Sequence, residues 1–220
     1  FTKLDIPYQD GLAITGVKAT LKGRSHKRNI CVIGEMDAVK CFGHPYADKE
    51  IILCPDGLHA DNHGVGLAMS FLPAKFDYLI AVGSGTVHDI TRYLAYNKGL
   101  QFVSCPTAAS VDGFCSSVAA MTWDGYKKTF EAVAPKIVIA DLSIISKAPM
   151  FLTNSGFGDM IGKFIALADW KIAHTLTNEY FCPTIHDMTM NATKAVIESA
   201  EAIKDGNITA YVKFIYGLLM

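Results

Sequence analysis

The stretch that decides the fold is Asp77-Tyr-Leu-Ile-Ala-Val-Gly-Ser-Gly-Thr-Val-His-Asp-Ile-Thr-Arg-Tyr93. Its apolar first part, residues 78–82, is typical of a strand buried inside a parallel sheet. The strand breaks at the glycine-rich segment 83–86, and a helical pattern follows at once. Glycines at such a junction adopt positive φ, and the free N–H groups of the new helix favour an anion such as a diphosphate. The pattern predicts a nucleotide-binding turn. Because it matches neither the G-x-G-x-x-G fingerprint nor the P-loop, an ordinary strand-to-helix turn remains an alternative.

Strands and helices alternate through the first two thirds of the chain. Alternation of this kind predicts right-handed βαβ units and a parallel sheet. We expect further strands at residues 29–34, 51–54, 102–105 and 136–140, and helices at residues 37–46, 64–72 and from the glycine turn through residue 96.

The pattern changes after Pro149, because residues 152–220 show long helical periodicity and no convincing strand. Helices are expected at about 159–177, at about 185–203 and from about 208 onward. We therefore predict a domain boundary within residues 148–155. It separates an α/β domain, residues 1–150, from an all-helical domain that begins at residue 151.

Composition excludes several classes of function. Half of the 220 residues are hydrophobic, and the net charge of −1 is spread as single charges, which argues against nucleic acid or an anionic membrane surface as a partner. No apolar run reaches the about 18 residues that a transmembrane helix needs, and no signal peptide is visible. The six cysteines lie far apart without a C-x-x-C pair, so we predict buried thiols in a reduced, cytoplasmic protein.

The two ends of the chain suggest a longer protein. The sequence opens on Phe1, and it stops at Met220 inside an apolar helical pattern without a C-cap signal. We expect further helical sequence beyond Met220.

Two segments carry candidate chemistry besides the glycine turn. The segment 105–117 follows a predicted strand and combines small hydroxyl residues with Asp112, which suits phosphate or ribose binding, although an ordinary polar loop has the same composition. Gly156-Phe157-Gly158-Asp159 is expected to open a helix, so Asp159 is either a simple first-turn carboxylate or a metal ligand. One carboxylate is not a metal site, because a catalytic zinc ion needs three protein ligands.

The histidines predict no metal site. His59 and His63 have helical i, i+4 spacing, but they lie in a polar segment and are interpreted as solvated. His174 and His186 flank Pro183 and are interpreted as structural. There is no Gly-x-Ser-x-Gly elbow, which leaves serine-hydrolase chemistry without support.

Five motifs in one order resemble the sn-glycerol-1-phosphate dehydrogenase family, in particular its bacterial AraM-like branch. This family belongs to the superfamily of glycerol dehydrogenase, iron-type alcohol dehydrogenase and dehydroquinate synthase. The match is dense from about residue 75 onward. The motifs are Ala81-Val-Gly-Ser-Gly-Thr-Val-His-Asp89, Pro106-Thr-Ala-Ala-Ser-Val-Asp-Gly113, Ile139-Ala-Asp-Leu142, Ala148-Pro149 and Gly156-Phe-Gly-Asp159 with Ala168-Asp-Trp-Lys171.

The resemblance implies a Rossmann-like N-terminal domain, the beginning of a helical metal- and substrate-binding domain at residues 151–220, and a cleft that holds NAD or NADP. Asp112 would bind the substrate, and Asp159 would bind both the substrate and a divalent metal, zinc or nickel. Two histidine ligands are expected beyond Met220. The implied cofactor-binding residues are Gly85, Thr86, Val87, His88, Asp89, Thr107, Ala108, Ala109, Ser110 and Ser116, with Glu35 for the adenosine ribose.

The implied activity is metal-assisted interconversion of dihydroxyacetone phosphate and sn-glycerol 1-phosphate, a step of phospholipid metabolism. The partner is then a small phosphorylated three-carbon substrate, with neither nucleic acid nor membrane insertion. A homo-oligomer is compatible with the sequence. The alternatives are a glycerol dehydrogenase, a dehydroquinate synthase-like enzyme, or a nucleotide-binding module without catalysis.

Overall fold

A computed structural model describes the backbone of residues 8–12, 16–21, 29–35, 48–54 and 57–220, and the side chains of residues 31–33 and 57–220. Contacts divide the chain into two compact units. The sheet unit comprises Phe1–Thr107 and Cys115–Ile139. The helical unit comprises Ala108–Phe114 and Ala140–Met220.

One mixed sheet organises the sheet unit. Among the described residues it has seven strands: β1 (Tyr8–Leu12), β2 (Gly16–Leu21), β3 (Asn29–Glu35), β4 (Asp48–Cys54), β5 (Tyr78–Gly83), β6 (Gln101–Pro106) and β9 (Ile137–Val138). Their order across the sheet is β1-β2-β4-β3-β5-β6-β9. β1 pairs antiparallel with β2, and β2 pairs antiparallel with β4. The strands from β4 to β9 in this order pair parallel.

A hairpin and two helices complete the sheet unit. The hairpin joins β7 (Val118–Trp123) to β8 (Tyr126–Glu131), and the helices are α1 (Asn62–Phe71) and α2 (Gly85–Lys98). The turn residues Asp124 and Gly125 both have positive φ, which suits the right-handed twist of a two-residue hairpin. The ring of Tyr93 on α2 packs against the rings of Trp123 and Phe130, so the hairpin lies on α2. β5 and α2 supply much of the buried core around them.

The helical unit is built around one long helix. α3 (Leu142–Ile145) precedes the 28-residue α4 (Met150–Thr177), which is about 42 Å long. α5 (Pro183–Glu198), α6 (Ala200–Lys204) and α7 (Ile208–Leu219) follow. Met160, Val196 and Phe214 are fully buried and join α4, α5 and α7 in one apolar core.

A glycine on α4 admits the loop 108–114 into the helical unit. A Cβ added at Gly156 would lie 2.1 Å from the carbonyl oxygen of Ala109, so the loop backbone rests directly on the helix. This contact explains why the loop belongs to the helical unit. Residues 140–149 also belong to the helical unit, because Ile145 of α3 is fully buried in its core. The sequence analysis placed residues 108–114 and 140–149 in the domain 1–150.

Most predicted elements are confirmed, with shifts at their ends. The strands at 29–34, 51–54, 78–82 and 102–105 and the helices at 64–72 and 85–96 are present, and the strand at 136–140 shortens to two residues. The expected start of α4 was wrong, because the helix begins nine residues earlier, at Met150. The helix at 185–203 is interrupted at Ser199. β1, β2 and the β7–β8 hairpin were not predicted, and the predicted helix 37–46 lies outside the described residues.

Two further sequence expectations concern cysteines and membranes. Burial is confirmed for Cys31 and Cys105, whereas Cys115 is exposed. A helix able to span a membrane is not found in the part of the chain that the structure describes.

The contact at Gly156 gives a direct stability test. We expect Gly156→Ala to lower the free energy of unfolding by about 2 kcal/mol, because the methyl group collides with the Ala109 backbone. Gly158→Ala is the matched control on the same helix, since a Cβ there meets nothing within 4 Å. The control should gain up to about 1 kcal/mol from better helix propensity. Urea unfolding followed by circular dichroism measures both, and equal stability of the two variants would contradict the close approach.

Candidate functional site

The glycine turn lies where the strand order of the sheet reverses. β4 pairs with one side of β3 and β5 pairs with the other side. The connection from β4 to β5 therefore crosses over β3. In open parallel sheets, ligands bind at the carboxyl ends of the strands at such a reversal. Gly34 of β3 pairs with Val82 of β5, so Glu35 and Gly83 are the next residues at this end. The backbone thus brings Glu35, a predicted cofactor residue, and the start of the glycine turn to the same carboxyl end of the sheet.

The turn has the geometry of an anion site. Gly83 has a φ of 155°, a conformation that residues with a side chain rarely adopt. Ser84 occupies the N-cap, and α2 starts at Gly85. The first N–H groups of a helix have no intrahelical acceptor and carry the positive end of its dipole. The amides of Gly85, Thr86 and Val87 therefore favour an anion at this end of α2.

Two residues of this turn face the core. Val87 and His88 are 0% and 1% exposed, which leaves their backbones, not their side chains, for a cofactor. His88 Nδ1 donates to the carbonyl oxygen of Ser84 at 2.8 Å. Burial lowers the pKa of His88 to about 4, with the nearby Arg92 charge acting in the same direction, so the ring is neutral at physiological pH.

Asp89 and Arg92 form a charged pair on the same helix. Asp89 Oδ1 lies 3.7 Å from Arg92 Nε. Burial raises the pKa of Asp89 to about 6, although Arg92 and Lys127 act in the opposite direction. The Asp89 carboxylate is therefore ionised at neutral pH but close to its titration range.

The remaining predicted cofactor residues of the sheet unit have local partners. Thr107 N donates to the carbonyl oxygen of Gly83 at 3.1 Å, so it lies beside the turn. The Ser116 hydroxyl lies 3.1 Å from the Val118 carbonyl oxygen and 3.0 Å from the Val118 nitrogen, and it closes a tight local turn. Glu35 is described by its backbone position alone, at the end of β3.

In the helical unit, two carboxylates and an ammonium group lie together. The backbone N–H of Asp112 donates to Asp159 Oδ2 at 3.1 Å, and Lys163 Nζ lies 3.1 Å from Asp112 Oδ2. Lys163 follows Asp159 by four residues on α4, so both side chains lie on one face of the helix. The structure thus brings together the two predicted substrate-binding residues.

Asp159 lies in the interior of α4 and not at a helix end. The sequence placed it in the first turn of a helix, but it is nine residues after Met150, inside α4, so the first-turn interpretation was wrong. Burial raises its pKa, and the neighbouring Asp112 carboxylate adds to the shift. The Asp112 N–H and the Lys163 ammonium partly offset this rise.

Three small residues precede Asp112 and are buried. Ala108 and Ala109 are 1% and 0% exposed, and Ser110 is 3% exposed. Within the part of the chain that the structure describes, the buried Ser110 Oγ has no hydrogen-bond partner.

The described residues do not complete a metal site. No group of three or more His, Cys, Asp or Glu side chains among them could hold a metal ion. Asp159 remains one candidate ligand. His59 and His63 are exposed. His174 stacks on Phe181 and His186 packs against the same ring at a tilt, in agreement with their structural interpretation.

Sequence reasoning missed Arg92 and Lys163. Lys163 had a signal, since its i+4 spacing from Asp159 places both on one face of a predicted helix. Arg92 had none, because a charged residue in an amphipathic helix is ordinarily solvated, whereas this one is 1% exposed.

Comparison with known proteins identifies the family. A family model described as iron-containing alcohol dehydrogenase matches residues 49–149. Glycerol-1-phosphate dehydrogenase [NAD(P)+] of Halalkalibacterium halodurans is 38% identical over 187 residues, which cover 85% of this chain and 43% of that protein. The enzyme of the same name from Geobacillus thermodenitrificans is 43% identical over 148 residues, 67% of this chain and 37% of that protein. This chain belongs to the iron-type alcohol dehydrogenase superfamily. It resembles the glycerol-1-phosphate dehydrogenase branch, as the motifs implied, and it spans less than half the length of these relatives.

Solved structures of the superfamily share the fold. A glycerol dehydrogenase from Schizosaccharomyces pombe superposes with a TM-score of 0.67 at 17% identity, over 89% of this chain and 54% of that one. An iron-containing alcohol dehydrogenase from Thermotoga maritima gives a TM-score of 0.68 at 17% identity, over 87% of this chain and 59% of that one. The predicted fold class, a Rossmann-like parallel-sheet domain followed by a helical domain, is confirmed.

The displaced pKa of Asp89 predicts how stability changes with pH. Folding raises this pKa from 3.8 to about 6, so between these values the folded protein binds a proton that the unfolded chain does not. Acidification from pH 7 to 4 should therefore raise the stability of the wild type relative to Asp89→Asn, by up to about 3 kcal/mol. Urea unfolding across this pH range measures the difference.

Asp169→Asn removes an exposed carboxylate from α4 and is the matched control. Because Asp169→Asn leaves Asp89 in place, acidification should raise its stability relative to Asp89→Asn, as it does for the wild type. A constant difference between wild type and Asp89→Asn would contradict the raised pKa.

Proposed function

We propose that this chain is part of a metal-assisted, NAD(P)-dependent oxidoreductase that interconverts dihydroxyacetone phosphate and sn-glycerol 1-phosphate. The observation that carries the proposal is the glycine turn at the reversal of strand order, with Glu35 at the adjacent strand end. Relatives at 38% and 43% identity are named glycerol-1-phosphate dehydrogenase [NAD(P)+], which supports this substrate.

The sheet unit would bind the dinucleotide. The amides of Gly85 to Val87 would donate to the diphosphate, since they lie at the N-terminal end of α2, which is the positive end of the helix dipole. Thr107, whose N–H donates to the Gly83 carbonyl oxygen, lies beside the same turn and would contact the cofactor there. Glu35 would accept a hydrogen bond from the adenosine ribose of NAD or NADP.

The helical unit would bind the substrate. Asp112 would accept from a substrate hydroxyl, and Lys163, which is 13% exposed, would offset the charge of two carboxylates and a phosphorylated substrate. Asp159 would face the same group from α4, held by the Asp112 N–H. Ser110 Oγ is buried without a hydrogen-bond partner among the described residues, and its hydroxyl would donate to a ligand.

The nicotinamide, when bound, would supply the hydride for the carbonyl carbon, and the proton for the carbonyl oxygen would come from solvent. A divalent metal, zinc or nickel, would supply a Lewis acid for that oxygen when bound. Asp159 would be one ligand, and the two further histidine ligands are proposed to lie in sequence that the longer relatives have and these 220 residues lack. The chain's own groups would hold the substrate hydroxyls and keep the coenzyme at the sheet edge.

Two alternatives are separated by substrate and by turnover. A glycerol dehydrogenase would reduce unphosphorylated dihydroxyacetone, whereas the proposed enzyme prefers dihydroxyacetone phosphate. A nucleotide-binding module would bind NADH and reduce neither. The cytoplasmic location and a role in phospholipid metabolism remain predictions.

The turn can be tested by coenzyme binding. We expect residues 1–220 to bind NADH in isothermal titration calorimetry, and Gly83→Ala to weaken the affinity about tenfold, because a side chain resists a φ of 155°. Gly99→Ala is the matched control: Gly99 also has positive φ, 63°, but it ends α2 at the opposite end from the turn. Equal affinities of the two variants, or no NADH binding by the wild type, would contradict a dinucleotide site at Gly83.

Turnover tests the metal part of the proposal. With added Zn²⁺ or Ni²⁺, we expect residues 1–220 to oxidise no NADH with dihydroxyacetone phosphate, because a three-ligand set is missing among the described residues. The protein with the flanking sequence of its gene should oxidise NADH with dihydroxyacetone phosphate in preference to dihydroxyacetone. Turnover by residues 1–220 alone would contradict the need for further ligands.

A further inference from the structure

Arg92 is a charged side chain in the interior of the sheet unit. It lies on α2, seven residues after Gly85, and it is 1% exposed. A guanidinium group leaves water at a large free-energy cost unless its N–H groups find acceptors. The hydrogen-bond acceptors of Arg92 therefore indicate which parts of the sheet unit this buried side chain connects.

The acceptors lie on the segment 116–118, just before the hairpin. Arg92 Nη1 donates to the carbonyl oxygen of Ser116 at 2.9 Å and to that of Val118 at 3.1 Å. The guanidinium carbon lies 5.9 Å from the ring centre of Phe102 on β6, and Nε lies 3.7 Å from Asp89. One side chain thus connects α2, β6 and the start of β7.

Ser116 is a proposed cofactor contact, and its own hydroxyl already closes a turn with Val118. The segment 116–118 is therefore closed by a local hydrogen bond, and Arg92 ties its carbonyl oxygens to α2. The first turn of α2 is another proposed cofactor contact. A planar guanidinium suits this role, because its donors point in fixed directions.

The stability of the fold alone does not account for a buried guanidinium group at Arg92. Replacing a buried charge and its partner by apolar side chains of similar volume is commonly neutral or stabilising. A methionine could fill much of the same volume, but it could not donate to the carbonyl oxygens of Ser116 and Val118.

We propose that Arg92 is a positioning residue of the coenzyme site, which aligns the Ser116 segment with the amides at the start of α2. This inference rests on the proposed coenzyme function. Arg92 acts through the backbone of residues 116–118 and through Asp89.

The test compares NADH affinity with stability in residues 1–220. Arg92→Met keeps the apolar volume, and Arg92→Lys keeps the charge but loses the fixed fork of donors. Both should raise the NADH dissociation constant about tenfold or more. Leu94→Ala is the matched control, since Leu94 lies on the same helix at 1% exposure and its side chain has no donor for the carbonyl oxygens of segment 116–118, while its truncation should lower the melting temperature. The control should keep its dissociation constant within about twofold.

Amide NMR distinguishes alignment from general destabilisation. On addition of NADH, the Gly85 and Ser116 amides should both shift in the wild type, whereas in Arg92→Lys the Gly85 amide should shift and the Ser116 amide should not. If Arg92→Met fails to fold, the Arg92→Lys spectra carry the comparison.

The outcomes separate the two proposals. Wild-type affinity in either Arg92 variant, or an equal loss in Leu94→Ala, overturns the role of Arg92 and leaves the coenzyme site standing. Failure of the wild type to bind NADH overturns both.

Discussion

The reversal of strand order around β3 is the constraint on which the sheet unit depends. β4 and β5 pair with opposite sides of β3, so the connections at the carboxyl ends diverge there and leave room for a ligand between them. A strand that ends at this edge must turn sharply into its helix, and Gly83 adopts the backbone conformation that the turn requires. The turn, the amides of α2 and the end of β3 are thus consequences of one topological feature.

A close approach of backbones has the same organising role in the helical unit. The absence of a side chain at Gly156 lets the loop 108–114 rest on α4, and this contact brings Asp112 to Asp159 across 47 residues of sequence. Lys163 then meets Asp112 one helical turn further on. Charge would otherwise keep two carboxylates apart, so the ammonium group and the Asp112 N–H make the arrangement stable.

Local patterns predicted the parts of the fold that depend on local physics. The buried run before Gly83 and the helical periodicity after Pro149 both correspond to observed elements. The Asp124-Gly125 turn carried a hairpin signal that was overlooked. The start of α4 could not be read from sequence, because Gly156 looks like a helix breaker until its tertiary contact with Ala109 is known. The burial of Arg92 likewise depends on carbonyl groups more than twenty residues away.

For the candidate site as well, the sequence indicated the residues but not their tertiary contacts. The motif resemblance named Asp112 and Asp159, and the structure shows them in contact, but the sequence assigned Asp159 to the wrong part of its helix. Lys163 needed the three-dimensional arrangement before its place beside Asp112 became visible. Position in a motif thus indicated which residues matter, whereas their partners came from packing between distant segments.

His88 and Asp89 are neighbours on α2, and folding displaces their pKa values in opposite directions, to about 4 and about 6. Between these pH values the unfolded chain carries a proton on the histidine, whereas the folded chain carries one on the aspartate. Both states then hold the same number of protons on this pair, so the pair adds no slope to the pH dependence of folding. The opposite displacements on two neighbouring residues thereby cancel, so acidification from about pH 6 to about pH 4 leaves the net contribution of this pair to stability nearly unchanged.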